Sequence, residues 1–145
     1  MPKQKLVTIG NENICPVAVI IRGGKILLGL RHYTKDKWKL ISVWTTPGGR
    51  CNTNESLGSA LHREVKEEIG VDDLEIIEYL GEVPGAKYSN DHSDIVPLFL
   101  CKTNQEPKLM EPQKFSEWRW FAPLDIPDNF INPAALEIIK EKVFD

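Results

Sequence analysis

The sequence is short of the residues from which zinc sites and disulfide frameworks are built. Its 145 residues hold three cysteines and three histidines. Cys15, Cys51 and Cys101 form no C-x-x-C pair, and His32, His62 and His92 lack ligand spacing. A structural zinc site is not expected, and the thiols read as reduced, as in a cytoplasmic protein. Excess positive charge is also missing: 18 Lys and Arg stand against 21 Asp and Glu, a formal net charge of −3. Bulk basic charge is therefore not the means of binding, and no stable nucleic acid complex is expected. No apolar run approaches a membrane span. The basic start Met1-Pro2-Lys3-Gln4-Lys5 is followed by no long apolar stretch, so neither a membrane segment nor a signal peptide is expected. Repeats and low-complexity tracts are missing too. At 145 residues two separate cores would each be too small, so one domain over 1–145 is expected, acting as a monomer or homodimer.

What is present is a regular alternation of elements. Cys15 to Leu30 reads as a hairpin around Gly23-Gly24. Arg31 to Leu40, rich in Lys and Arg, reads as an exposed loop, followed by a strand at Ile41–Thr45 and a break at Pro47-Gly48-Gly49. Leu57, Leu61, Val65 and Ile69 recur every four residues, predicting an amphipathic helix of about four turns. Asn52, Thr53 and Asn54 offer its N-cap and Gly70 its C-cap. Leu74–Tyr88 and His92–Thr103 read as strands, Glu106–Lys114 as a loop and Glu117–Phe121 as a strand. Asn132-Pro133 caps a last helix with Leu136, Ile139 and Val143 on its apolar face. The order suggests an α+β or α/β sandwich, with helices packed on a mixed β-sheet.

The predicted central helix contains Arg63-Glu64-Val65-Lys66-Glu67-Glu68. Glu64, Glu67 and Glu68 stand at i, i+3 and i+4, so their carboxylates share about 100° of helix surface beside the apolar stripe. Like charges so placed repel, and the more so when partly buried. The arrangement becomes favourable when the acids share a hard divalent cation, because Mg²⁺ takes oxygen ligands and pairs carboxylates with substrate phosphates. A solvated acidic face is the plain alternative.

The wider spacing is Gly49, five residues, Glu55, seven residues, Arg63-Glu64-Val65, one residue, Glu67-Glu68, one residue, Gly70-Val71. Every defining position of the Nudix box is filled, and the chain resembles the Nudix hydrolase family, loosely from Cys15 to Val143 and most closely its MutT-like nucleoside triphosphate pyrophosphatases. The resemblance implies the Nudix fold, an α/β/α sandwich around a mixed sheet, with Mg²⁺ or Mn²⁺ as cofactor and a substrate of the form nucleoside diphosphate linked to X. It implies that Glu64, Glu67 and Glu68 bind the metal with the Gly48 carbonyl, that Glu111 adds a further acidic ligand or base, and that Arg63 and Glu55 orient the cluster. Either Glu64 or Glu111 is the general base on this reading.

The resemblance extends to Glu111-Pro112 and Trp118-Arg119-Trp120, which match a stretch of MutT-like enzymes acting on (d)GTP and oxidised dGTP. Trp118 and Trp120 face one side of a strand, where one could stack a base and the other join the core. Gly49, Arg31 and Arg50 are placed to meet phosphates. A (d)NTP or modified dNTP hydrolysed to monophosphate and pyrophosphate is the expected reaction. Tyr88, seventeen residues past Val71, keeps a dinucleoside polyphosphate substrate open, and a non-catalytic nucleotide-binding Nudix module is the third reading.

Overall fold

The computed structural model describes residues 2–36, 39–85 and 94–144. The elements run α1 (Pro2–Leu6), β1 (Val17–Arg22), β2 (Lys25–Asp36), β3 (Lys39–Thr45), α2 (Leu57–Ile69), β4 (Glu75–Pro84), β5 (Ile95–Lys102), β6 (Phe115–Phe121) and α3 (Pro133–Lys142). Strand order is β3-β2-β1-β5-β4, with β6 on β2. The β1–β5 pair is parallel, aligning Val17 with Leu98 and Ile20 with Cys101, and the other pairs are antiparallel. The sheet is therefore mixed, as expected.

Alternation along the strands sends successive side chains to opposite faces. Ala18, Ile20 and Leu27 meet Leu57, Leu61, Val65 and Ile69 of α2, while Val19, Ile26 and Leu28 meet Ala135 and Ile139 under α3. Helices thus cover both faces, giving the α/β/α sandwich. Leu61, Val65, Ile69 and Ile139 are fully buried, each contributing about 1.5–3 kcal/mol.

Three local expectations change. The N-cap of α2 is Ser56, whose hydroxyl accepts from the Ser59 amide, while Asn54 takes a left-handed φ of 64° in the preceding turn. The described part of Arg31–Leu40 is strand and not loop: β2 continues to Asp36 and pairs with β3 from Gly29↔Thr45 to Asp36↔Lys39. The basic side chains there had masked the strand propensity of Tyr33, Thr34 and Ile41. β6 begins at Phe115 rather than Glu117, because Phe115 pairs with Arg31 and its ring is buried. The short α1 had no apolar period to announce it. The C-cap of α2 at Gly70, φ 70°, and the Asn132 cap of α3 fall where the sequence put them. Trp38, Tyr88 and His92 lie outside the described residues. No helix among the described residues is long and apolar enough to cross a membrane.

Candidate active site

The polar loop Pro47–Arg50 runs from β3 to α2 across the start of β1. The Pro47 carbonyl accepts from Ala18, and the Gly49 amide donates to the Pro16 carbonyl. Gly48 has φ 147°, and a Cβ there would lie 2.4 Å from the Pro16 carbonyl oxygen, so only glycine fits. A Cβ on Gly49 would sit 2.5 Å from the Glu64 carboxylate. The two glycines therefore let the loop press against the acidic face of α2.

Arg63 organises that face. Its Nε donates to Glu55 Oε2 and its Nη2 to Glu55 Oε1, both at 2.9 Å, a bidentate pair. Nη2 also donates to the Arg50 carbonyl at 3.0 Å, Nη1 donates to Glu64 Oε1 at 2.9 Å, and Glu67 Oε2 lies 3.4 Å away. The Arg63 hydrogen bonds, with the Asn52 amide, hold the Glu55 carboxyl below the usual carboxylate range. Arg63 thus ties the loop, Glu55 and two of the three clustered acids together.

Glu68 lies on the floor, 3% exposed, with Oε1 accepting from the Gly48 amide at 2.8 Å. Burial pushes its carboxyl up to about 8, against the opposing pull of the Gly48 amide, and the charges of Glu64 and Glu111 add to the rise. Glu64 is also raised by burial, with Arg63 acting against the shift. Glu67 stands at the rim with half of its side chain in solvent. Gly48 thus joins the cluster through its amide.

Glu111 comes from the loop between β5 and β6. The loop docks on the end of α2, where Lys108 donates to the Ile69 carbonyl at 2.8 Å and Met110 to the Glu68 carbonyl at 3.4 Å. The Glu111 charge is felt at Glu68 for this reason.

A cleft of about 390 Å³ opens over these residues. Glu64, Glu68, Gly48, Gly49, Arg31 and Lys114 line it with Tyr33, Thr46, Val96, Phe130, Ile131 and Asn132. The Arg31 guanidinium lies over the Tyr33 ring, 4.6 Å from its centroid, and 5.2 Å from that of Phe115. Its Nε is buried and finds no hydrogen-bond partner among the described residues, so it offers a donor to an anion.

Two expectations move. Arg50 lines the cleft, but its guanidinium is bound to the 3%-exposed Asp94 at 2.7 and 2.6 Å and to the Glu12 carbonyl at 2.9 Å. It secures the wall and is not extended toward a ligand. Trp118 and Trp120 face one side of β6, opposite Gly29 and Leu27, but neither lines the cleft. The Trp118 ring covers Gly29, where a Cβ would lie 2.7 Å away, and stands 4.6 Å from the Phe115 centroid. The Arg22 guanidinium covers Trp120 at 4.8 Å. Both rings serve the core under α2, while Tyr33, Phe115 and Phe130 line the cleft. Asp94, Lys114 and Phe130 were not singled out from sequence, because no local pattern joins them to the helix.

The donor chemistry fits a hard divalent ion. Oxygen ligands alone are gathered on this face, and a carboxyl whose charge burial opposes is relieved by a cation. Among the described residues, no three acids are already drawn into ligand geometry. Arg63 takes oxygens of Glu64 and Glu67, and Gly48 one of Glu68.

A family model for the NUDIX domain matches residues 15–143. The chain is 28% identical over 129 residues to an RNA pyrophosphohydrolase of Novosphingobium aromaticivorans, covering 77% of this chain and 78% of that protein. It is 40% identical over 55 residues to a CTP pyrophosphohydrolase of Escherichia coli, which is 38% of each chain. The crystal structure of a MutT NUDIX hydrolase from Burkholderia pseudomallei superposes with a TM-score of 0.71 at 27% identity, covering 90% of this chain and 97% of that one. With the box filled, the sandwich formed and nearly the whole chain matched, the protein belongs to the NUDIX family of hydrolases.

Proposed function

We propose that this hydrolase, one domain over 1–145, is a Mg²⁺- or Mn²⁺-dependent pyrophosphohydrolase that converts a nucleoside triphosphate, natural or modified, to the monophosphate and pyrophosphate. The observation that carries this reading is the buried Glu68 beside Glu64 in a cleft that Arg31 also lines, the Arg31 Nε having no hydrogen-bond partner among the described residues. Anion-binding and cation-binding groups meet there in one cavity, as a metal-complexed phosphate chain requires.

Glu64, Glu67, Glu68 and Glu111, with the Gly48 backbone, would hold the metal. A divalent ion bound there neutralises phosphate oxygens and makes water a better nucleophile. Arg31, its guanidinium held over the Tyr33 and Phe115 rings, would meet a phosphate oxygen from the cleft wall. Gly49 lets the phosphate chain approach the backbone. Glu64 Oε1 is bonded to Arg63, which fixes the rotamer and leaves Oε2 to accept the proton of the attacking water. Glu64 lines the cleft and Glu111 is not among the residues lining it, so Glu64 is the better placed base of the two acids considered. Tyr33 and Phe130 flank the nucleoside end of the cleft.

A panel scored for pyrophosphate and monophosphate release tests the reading. It comprises dNTPs, NTPs, oxidised dNTPs, diadenosine tetraphosphate and triphosphate-ended RNA, each with Mg²⁺ and with Mn²⁺. Metal-dependent release of pyrophosphate from a mononucleotide is expected. No turnover of any member overturns the proposal, and turnover confined to diadenosine tetraphosphate or RNA replaces the substrate class.

A further inference from the structure

Among the described residues, Arg31, Arg50 and Lys114 are the cations lining the cleft, and the third differs from the others in how it is held. Arg50 is bound to Asp94 and to the Glu12 carbonyl. Arg31 is fixed against two aromatic rings. The Lys114 backbone is just as firmly placed: its amide donates to the Glu111 carbonyl at 2.9 Å, and its own carbonyl accepts from the His32 amide at 2.9 Å. Its ammonium, by contrast, lies 3.6 Å from Glu111 Oε2 on a side chain that is 46% exposed. That separation exceeds hydrogen-bond range, so the pair contributes little to stability and is readily exchanged.

We propose that Lys114 is a phosphate-binding residue of the cleft, its ammonium exchanging Glu111 for an oxygen of the substrate's phosphate chain. The assignment rests on the hydrolase reading given above. Three features support it. A lysine on a rigid turn has a fixed base and a reach of four methylenes, which suits a phosphate chain that shifts as it reacts. Its charge is felt at Glu64, where it opposes the effect of burial, so the ammonium acts at the acidic end of the cleft. Glu64 and Glu68 line the cleft as acids, and Lys114 adds positive charge to the same lining on a half-exposed side chain. An ordinary solvated i,i+3 pair, the bland reading, would have no reason to line the same cleft as Arg31 and Glu64.

The test compares wild type with Lys114→Met and Lys114→Arg. Calorimetric binding of inorganic tripolyphosphate in Mg²⁺ is measured at low and high salt, beside steady-state turnover of the nucleotide panel. Lys114→Met is expected to weaken tripolyphosphate about tenfold or more and to flatten the salt dependence. It should raise KM more than it lowers kcat, with melting unchanged. Lys114→Arg should stay within about threefold of wild type. Equal tripolyphosphate binding by wild type and Lys114→Met, or no binding by wild type, overturns the assignment. Wild-type turnover of nucleotides is read separately: where it is present and Lys114→Met matches it, only Lys114 loses its role. Where it is absent, the hydrolase reading fails and the Lys114 assignment fails with it.

Discussion

The Gly48 amide donates to Glu68 Oε1 at 2.8 Å, joining the glycine turn before α2 to the last turn of that helix. The bond fixes the rotamer of the most deeply buried acid of the cluster. It also explains why the turn must come so close: Gly49 lies against Glu64 one residue on.

Gly48→Ala should disrupt this joint. At φ 147° an added Cβ lies 2.4 Å from the Pro16 carbonyl oxygen and 2.7 Å from Val17 Cα, and both are backbone atoms that cannot rotate away. A loss of about 1–3 kcal/mol is expected, with turnover falling further than stability because Glu68 loses its anchor. Thermal melting and turnover measured on one preparation check this. Wild-type melting would show that the turn yields without strain.

Glu68→Gln should separate stability from activity. The Glu68 carboxyl has a folded pKa of about 8 against an unfolded reference of 4.5, because burial disfavours its charge. Between those values the folded protein keeps a proton that the unfolded chain has lost. Stability therefore falls as pH rises through this window, by on the order of several kcal/mol, and levels off above about pH 8. A Gln never ionises. In EDTA the variant should equal wild type near pH 4.5 and become progressively more stable up to pH 8, while turnover in Mg²⁺ falls by orders of magnitude. Melting curves across this range check the sign, and parallel curves for the two proteins would remove Glu68 from its buried, proton-binding role. Added Mg²⁺ should stabilise wild type, increasingly so toward pH 8, and the variant much less.

The parts of this site that were legible in sequence share one property: they are local. The acids of α2 fall on one face because helical spacing dictates it, and Arg63 reaches Glu55 because eight residues separate them across a single turn and cap. Gly70 and Asn132 cap helices through their own conformations. What was not legible depends on pairing between distant strands. Arg50 meets Asp94 across 44 residues, and this contact, invisible in the chain's order, turns a basic side chain beside two glycines into a wall support. The two tryptophans were rightly placed on one side of a strand. Which end of that face opens to the cleft follows from the β2–β6 register, which sets Trp118 over Gly29 and brings Phe115 beside Arg31. The basic stretch after Leu30 failed differently: charge suggested solvent, but a strand needs only its backbone to be paired, and Arg31–Asp36 pairs with β3 while Arg31 also pairs with β6.

The role of Arg50 can be decided by a double-mutant cycle. As a wall support, Arg50→Met removes a bidentate partner from a carboxylate that is 3% exposed, and the loss of such a pair from a buried carboxylate is destabilising. A loss on the order of 2–3 kcal/mol is expected, moderated because nearly half of the arginine side chain reaches solvent. Arg50→Met combined with Asp94→Asn removes the buried charge along with the arginine, so the double variant should be more stable than Arg50→Met alone. A phosphate-binding arginine would behave differently: Arg50→Met would leave melting near wild type and raise KM, and Asp94→Asn would not rescue it. Denaturant unfolding of the four proteins, read beside KM for the nucleotide turned over, distinguishes the two roles. Additive losses with a raised KM would return Arg50 to the substrate.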